Sequence, residues 1–297
     1  MLRTNNRGAT EFVVEGQHLN INSLRPMIPE NKYIQKDIPL FPHPEFHVKD
    51  VCHITTLKGL KRIMNSSGLK AGRGGFIWWG LHIAKEEIAA ANNRFLRKKS
   101  LHPENHQFLS QFTTSPVFQE GSRYGNFKFT FPLEDLMQMY QEQICGGTMP
   151  VLRIYKTTVY KQEIMYSVVV HSAEVEEFDG YPRLPVEDNE GICAYRNGQI
   201  VWHAEAICQT HRNELIINED GTFETRLMNR HEFFVWDHVT LAFHIRDPQT
   251  LEVDERILKD NLYPCEATNP FLQSMFERLE LQKAEEVVAS IKQIPVL

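Results

Sequence analysis

From residue 151 to residue 245 the chain reads as one strand after another, and glycine fixes two of the turns. "GICAYRNGQIVWHAEAI" places Asn197-Gly198 between two apolar runs. A two-residue hairpin of this kind needs positive φ at both central positions, and Asn-Gly meets that need at least cost. "NELIINEDGTFETRLM" repeats the arrangement at Asp220-Gly221. "PVLRIYKTTVY", "EIMYSVVVH" and "EFFVWDHVTLAFHI" are rich in β-branched and aromatic residues. This half of the chain predicts a mostly antiparallel sheet.

The residues before it alternate strand and helix. In "LKGLKRIMNSSG", Leu57, Leu60, Ile63 and Met64 share one helical stripe, and Gly68 suits a left-handed stop. "FIWWGLHI" reads as a buried strand, with Trp78 and Trp79 on opposite faces. "AKEEIAAANNRFLRKK" has acids early and bases late, which matches the helix dipole. "NFKFTF" alternates aromatic and polar residues, and "PLEDLMQMYQEQ" opens a helix with proline. The expected class is α+β, with a mixed or antiparallel split sheet and flanking helices.

Residues 1–50 carry repeated prolines and read as an extended N-terminal arm, tied down by Tyr33, Phe41 and Phe46. Residues 51–245 form the expected main domain, and 246–297 a linker and a long C-terminal helix. In that helix Asn269 caps, Pro270 fits the first turn, and Phe271, Met275, Leu279, Val287 and Ile291 recur at helical spacing. The stripe either packs on the main domain or, through residues 269–293, meets a partner helix or a second copy.

A chain of 297 residues with a formal charge of −6 is large enough for a sizeable core and lacks an overall cationic footprint. No apolar run approaches the ~20 residues that span a bilayer, and the N-terminus has no signal-peptide core. Five cysteines without a CxxC fit reduced thiols. The expectation is a cytoplasmic or nuclear protein that is not secreted. GxGxxG, GxxxxGK[ST], GxSxG and HExxH are all missing, and no histidine pairs with cysteine at zinc-ligand spacing, so no metal is expected.

"VCHITTLKGLKRIMNSSGLKAGRGG" resembles the first motif of the ADP-ribosyltransferase superfamily, in which a strand ends in histidine, a hydroxyl or small residue follows, and a helix closes on "GL". The similarity is to toxins that modify DNA and to poly(ADP-ribose)-polymerase-like domains. "FTTSPVFQEGSRYGNFKFTF", with Thr113, Thr114 and Ser115, is similar to the hydroxyl-rich second motif. "QTHRNELIIN" looks like the third, a glutamate heading an apolar strand.

The resemblance covers at most residues 51–218, and "RGGFIWWGLHI" departs from the toxin pattern. It implies an NAD-dependent mono-ADP-ribosyltransferase. His53, Thr55, Ser115 and Tyr124 would hold NAD as substrate, with Tyr124 stacked on nicotinamide. Glu214 would stabilise the oxocarbenium-like transition state. Tyr155, Tyr160 or Tyr166 could replace Tyr124. The acceptor, protein or nucleic acid, is open. The motif order also requires the His53 and Glu214 strands to be neighbours in one sheet region.

Two alternatives stand beside this. His53 also fits a hydrogen-bonded structural histidine, and Glu214 a solvated carboxylate. Some domains of this superfamily are catalytically silent and act as interaction modules. The cysteine count generates a first test. All five cysteines should titrate as free thiols in denatured protein, and mapping of two native disulfides would overturn the reduced assignment.

Overall fold

The computed structural model describes residues 1–5, 8–72, 74–99, 108–186, 191–219, 223–267 and 278–293. In the first fifty residues lie β1 (Leu2–Thr4), β2 (Thr10–Glu15), α1 (Ile21–Leu24) and β3 (Glu45–Val48). Then come β4 (Asp50–Thr55), α2 (Leu57–Ser66), β5 (Gly68–Lys70), β6 (Phe76–His82), α3 (Lys85–Lys98), β7 (Phe127–Pro132) and α4 (Leu133–Gln143). The β-rich half holds β8 (Val151–Tyr160), β9 (Glu163–His171), β10 (Cys193–Arg196), β11 (Gln199–His203), β12 (Thr210–Ile217), β13 (Phe223–Phe233) and β14 (Trp236–His244). The chain ends with β15 (Thr250–Glu252), α5 (Glu255–Asp260), β16 (Leu262–Pro264) and α6 (Leu281–Gln293).

The fold is α+β. Nine strands form one mixed sheet in the order β1-β2-β8-β9-β14-β6-β4-β7-β16. Every neighbouring pair is antiparallel except β9 and β14, which run parallel. β9 and β14 are buried along almost their whole length, as central strands covered on both faces should be. β10, β11 and β3 make a small second sheet, β12 and β13 a two-stranded ribbon, and β15 pairs with β5.

Local chemistry explains the elements. Asn197 and Gly198 have φ of 51° and 75°, the positive values that a tight turn between β10 and β11 needs. α3 carries Glu86 and Glu87 in its first turn and Arg97 and Lys98 in its last. α4 buries Leu133, Leu136, Met137 and Tyr140. Its Tyr140 hydroxyl donates to the His244 and Val170 carbonyls, and its ring meets Phe243 edge-on at 5.1 Å.

Several boundaries differ from expectation. Residues 1–50 are tied down by Phe41 and Phe46, which are buried, and by the partly buried Tyr33. They are more than an arm, however. β2 pairs with β8 and so extends the main sheet, because the alternation in "TEFVVE" supplies a strand with one apolar face. Nor does the main body stop at residue 245, since β16 pairs with β7. The left-handed residue after α2 is Ser67, with φ of 46°, not Gly68. Gly68 is needed for another reason. A Cβ there would lie 2.6 Å from the Leu251 carbonyl oxygen, so β15 can approach only a glycine.

The C-terminal helix starts later than expected, at Leu281, and Arg278–Glu280 are not helical. Asn269, Pro270, Phe271 and Met275 fall outside the described residues. Ala284 and Val288 are buried, and Leu279, Val287 and Ile291 pack against the core, so the apolar stripe is used within the fold. Buried Asn126 anchors the approach to α6. Its amide donates to the Leu279 and Cys265 carbonyls at 3.0 and 3.2 Å, and its oxygen accepts from the Leu279 N–H at 3.0 Å. Asn126→Ala would leave these groups without partners. It should cost about 2–3 kcal/mol in denaturant unfolding. An unchanged midpoint would mean that α6 is not held by this contact.

Candidate functional site

Register decides which side chains meet. Residues opposite each other across a strand pair point the same way, and neighbours along a strand alternate. Val51 opposes Leu81, and Trp79 opposes Leu241. With Val239 and Phe243 they form one apolar face, and all six are buried. His53 belongs to this face, its ring 5.5 Å from that of Trp79.

The second face mixes polar groups with the aromatics Phe76, Trp78 and Trp236. Asp50 opposes His82, Cys52 opposes Gly80 and Thr130, and Ile54 opposes Lys128. Thr240 opposes Gly80 and Ser167, and Glu163 opposes Trp236, so His238 points the same way. The segment before β7 closes on this face from outside. Its Glu120 pairs with Lys128 at 3.0 Å, and its Arg123 pairs with Glu163.

Glu163 is the best-held charge here. Arg123 donates to one carboxylate oxygen, and His238 Nε2 lies 2.8 Å from the same atom. Burial alone would raise its pKa; the Arg123 guanidinium and the His238 contact outweigh burial and hold it at about 2. Arg123 also donates to the Tyr124 hydroxyl at 2.7 Å and sits 4.9 Å over the Tyr124 ring. This is a buried ion cluster in which each charge has a partner, the condition that makes such burial tolerable.

A second buried carboxyl lies on the apolar side of β14. Asp237 accepts from the Ala206 N–H at 2.7 Å, the Glu205 N–H at 3.2 Å and the Trp202 indole at 3.3 Å. Burial, and then the nearby Glu205 carboxylate, push its pKa up to about 8 against these donors. Glu205 is raised by burial as well, and it accepts from the Tyr166 hydroxyl and the Ile21 N–H. The pair ties β11 and α1 to β14.

The expected NAD set does not come together. His53 Nδ1 is 2.9 Å from the Trp78 carbonyl oxygen, so Nδ1 carries the proton, and burial lowers the ring's pKa against that bond. The histidine is half-buried on the core face. Thr55 packs its hydroxyl on α2, where a Cβ at Gly59 would lie 1.9 Å from Oγ1. Tyr124 comes close to this strand through its neighbour, since a Cβ at Gly125 would lie 2.1 Å from the Thr55 carbonyl oxygen. Its hydroxyl, however, is held by Arg123 with Glu163, on the face opposite His53. Ser115 donates its N–H to Ile207 at 3.0 Å, and its buried hydroxyl has no hydrogen-bond partner.

Glu214 departs furthest from expectation. It lies on β12, in the ribbon and not in the nine-stranded sheet, so the His53 and Glu214 strands are not neighbours. The edges of β12 explain this. One pairs with β13, and at the other the Leu215 N–H donates to the Leu40 carbonyl at 2.8 Å. Leu215 points inward and is buried, so Glu214 points outward. There it faces Arg226 across the ribbon and pairs with its guanidinium, with side-chain exposures of 27% and 66%.

Sequence reasoning passed over Arg123, Lys128, Glu163 and Asp237. Each is a single charge at a strand or turn, a pattern that ordinarily signals a solvated face. Among the described residues no three His, Cys, Asp or Glu side chains are grouped as metal ligands, and no helix is long and apolar enough to cross a membrane.

The two buried acids shift stability in opposite directions with pH. Glu163, depressed when folded, stabilises above its unfolded pKa near 4.5, and that contribution is lost as pH falls toward 2. Asp237, raised when folded, stabilises at low pH, and its contribution is lost as pH climbs from about 4 through about 8. Asp237 should therefore contribute a decline in unfolding free energy between pH 5 and 8, with a slope approaching about 1.4 kcal/mol per unit, against the rise that the histidines lowered by burial contribute as pH climbs toward 6.5. Asp237→Asn should be less stable at pH 5 and lack that component. An equal slope in the variant would contradict the assignment.

No family model, curated protein or solved structure matches the chain, so what the site can do must be read from its own geometry.

Proposed function

We propose that the chain is a catalytically silent domain that works by engaging a protein partner. One observation carries this. The carboxylate that NAD chemistry would require at Glu214 is ion-paired with Arg226 on an outward ribbon, while His53 is hydrogen-bonded to the Trp78 carbonyl within the core face of another sheet. A group that stabilises a developing cation must be aimed at the reacting carbon, and these two residues stand on strands of different sheets, each engaged by its own partner.

The formal charge of −6 favours a protein over a nucleic acid as partner. β13 offers the place. It is eleven residues long and free of proline and glycine, and its only strand neighbour among the described residues is β12. Leu227 and Phe233 on it are 70% and 56% exposed. A long unpaired edge is a template for an added strand, so the partner would dock as an extended segment.

Thermal unfolding with and without NAD tests the silent half. Binding at a hundred times the dissociation constant would add about 2.7 kcal/mol of apparent stability. The expected results are an unchanged melting temperature and no nicotinamide release. Stabilisation by NAD, with release that Glu214→Gln lowers ~100- to 1000-fold, would restore the NAD-dependent transferase reading. Hydrogen exchange on the isolated chain tests the docking half. Alternate β13 amides should exchange fast, and protection at every β13 amide would mean that its edge is already covered.

A further inference from the structure

Lys128 is the second residue of β7, and its side chain is only 11% exposed. Burying an ammonium is costly unless an opposite charge faces it. The charge that faces it is the Glu120 carboxylate at 3.0 Å, whose own side chain is 84% exposed. Water and dissolved ions compete for so open a carboxylate, and a pair held from outside contributes little. Lys128 therefore has a buried need for an anion and a replaceable one in place.

A second, independent observation lies beside it. Thr130 is two residues along the same strand and shares its face. Its hydroxyl is buried and has no hydrogen-bond partner. A buried donor without an acceptor is uncommon and calls for an explanation. His82 is on this face as well, across β4, and Lys128 helps, after burial, to lower its pKa. Asp50, of opposite sign, is also on this face, and burial raises its pKa toward the neutral form. Cys52 lies between these groups, with its thiol pushed up to about 11 by burial, so it adds no negative charge.

We propose that Lys128 and Thr130 form a binding site for a phosphate-type oxyanion, free or as a monoester, and that Glu120 occupies it in the absence of ligand. A tetrahedral oxyanion has enough acceptor oxygens to take the Lys128 ammonium and the Thr130 hydroxyl together. The ligand displaces the Glu120 carboxylate into water, where most of that side chain already is. The site is separate from the β13 edge and stands whether or not a protein docks there.

The test uses the full chain and two probes, inorganic phosphate and adenosine 5′-monophosphate. Melting temperature is read against sodium chloride of equal ionic strength. Glu120→Ala removes the competitor without disturbing the core. It should respond at a tenth or less of the probe concentration that the wild type needs. In that background Thr130→Val should weaken the response severalfold and Lys128→Met should abolish it. Thr130→Val serves as the second arm if Lys128→Met fails to fold. A response to both probes assigns the oxyanion alone, and a response to the nucleotide only assigns a monoester. The proposal is overturned if folded Glu120→Ala responds to neither probe more than to sodium chloride. It is equally overturned if the response survives both Lys128→Met and Thr130→Val.

Discussion

The parallel pairing of β9 with β14 holds the molecule together. On one side of it stand β1, β2 and β8, and on the other β6, β4, β7 and β16. All other contacts in the main sheet are antiparallel, so this one junction joins the N-terminal strands to the half that carries His53 and Lys128. β14 also receives the small sheet. Its Asp237 collects N–H donors from Trp202, Glu205 and Ala206, which places β11 against the sheet without a covalent link. The register at this junction sends Leu241 and Phe243 to the core and His238 and Thr240 to the other face.

That partition has chemical consequences. Charges on the second face are buried only where a partner reaches them, as Arg123 and His238 reach Glu163. Lys128 is the exception in degree, because its partner stands mostly in solvent. On the core face His53 is neutralised by burial and fixed by a backbone carbonyl, which is how a structural histidine behaves.

What could be read from the sequence was local. Asn197-Gly198 announced its hairpin because a two-residue turn admits few residues, and the charges of α3 announced its direction. The α+β class followed from the order of such segments. Sheet membership did not follow, because it is decided by which edges are free. β12 loses its second edge to Leu40 in the N-terminal segment, 175 residues away, and no pattern within "THRNELII" records that. The strand motif around Glu214 was therefore read correctly as a strand and assigned to the wrong sheet. Lys128 and Glu163 were missed for a related reason. An isolated charge in an alternating strand looks solvated until a distant loop covers it.

The separation of His53 from Glu214 is the point on which this picture turns, and a double-mutant cycle measures it. His53→Ala and Glu214→Gln should have additive effects on unfolding free energy, within about 0.3–0.5 kcal/mol, as distant sites without shared partners do. Glu214→Gln and Arg226→Gln should couple instead, by the ~0.2–1 kcal/mol expected of an exposed ion pair. Coupling of His53 with Glu214 well above 0.5 kcal/mol, with none between Glu214 and Arg226, would contradict the account and put the two residues back in one site.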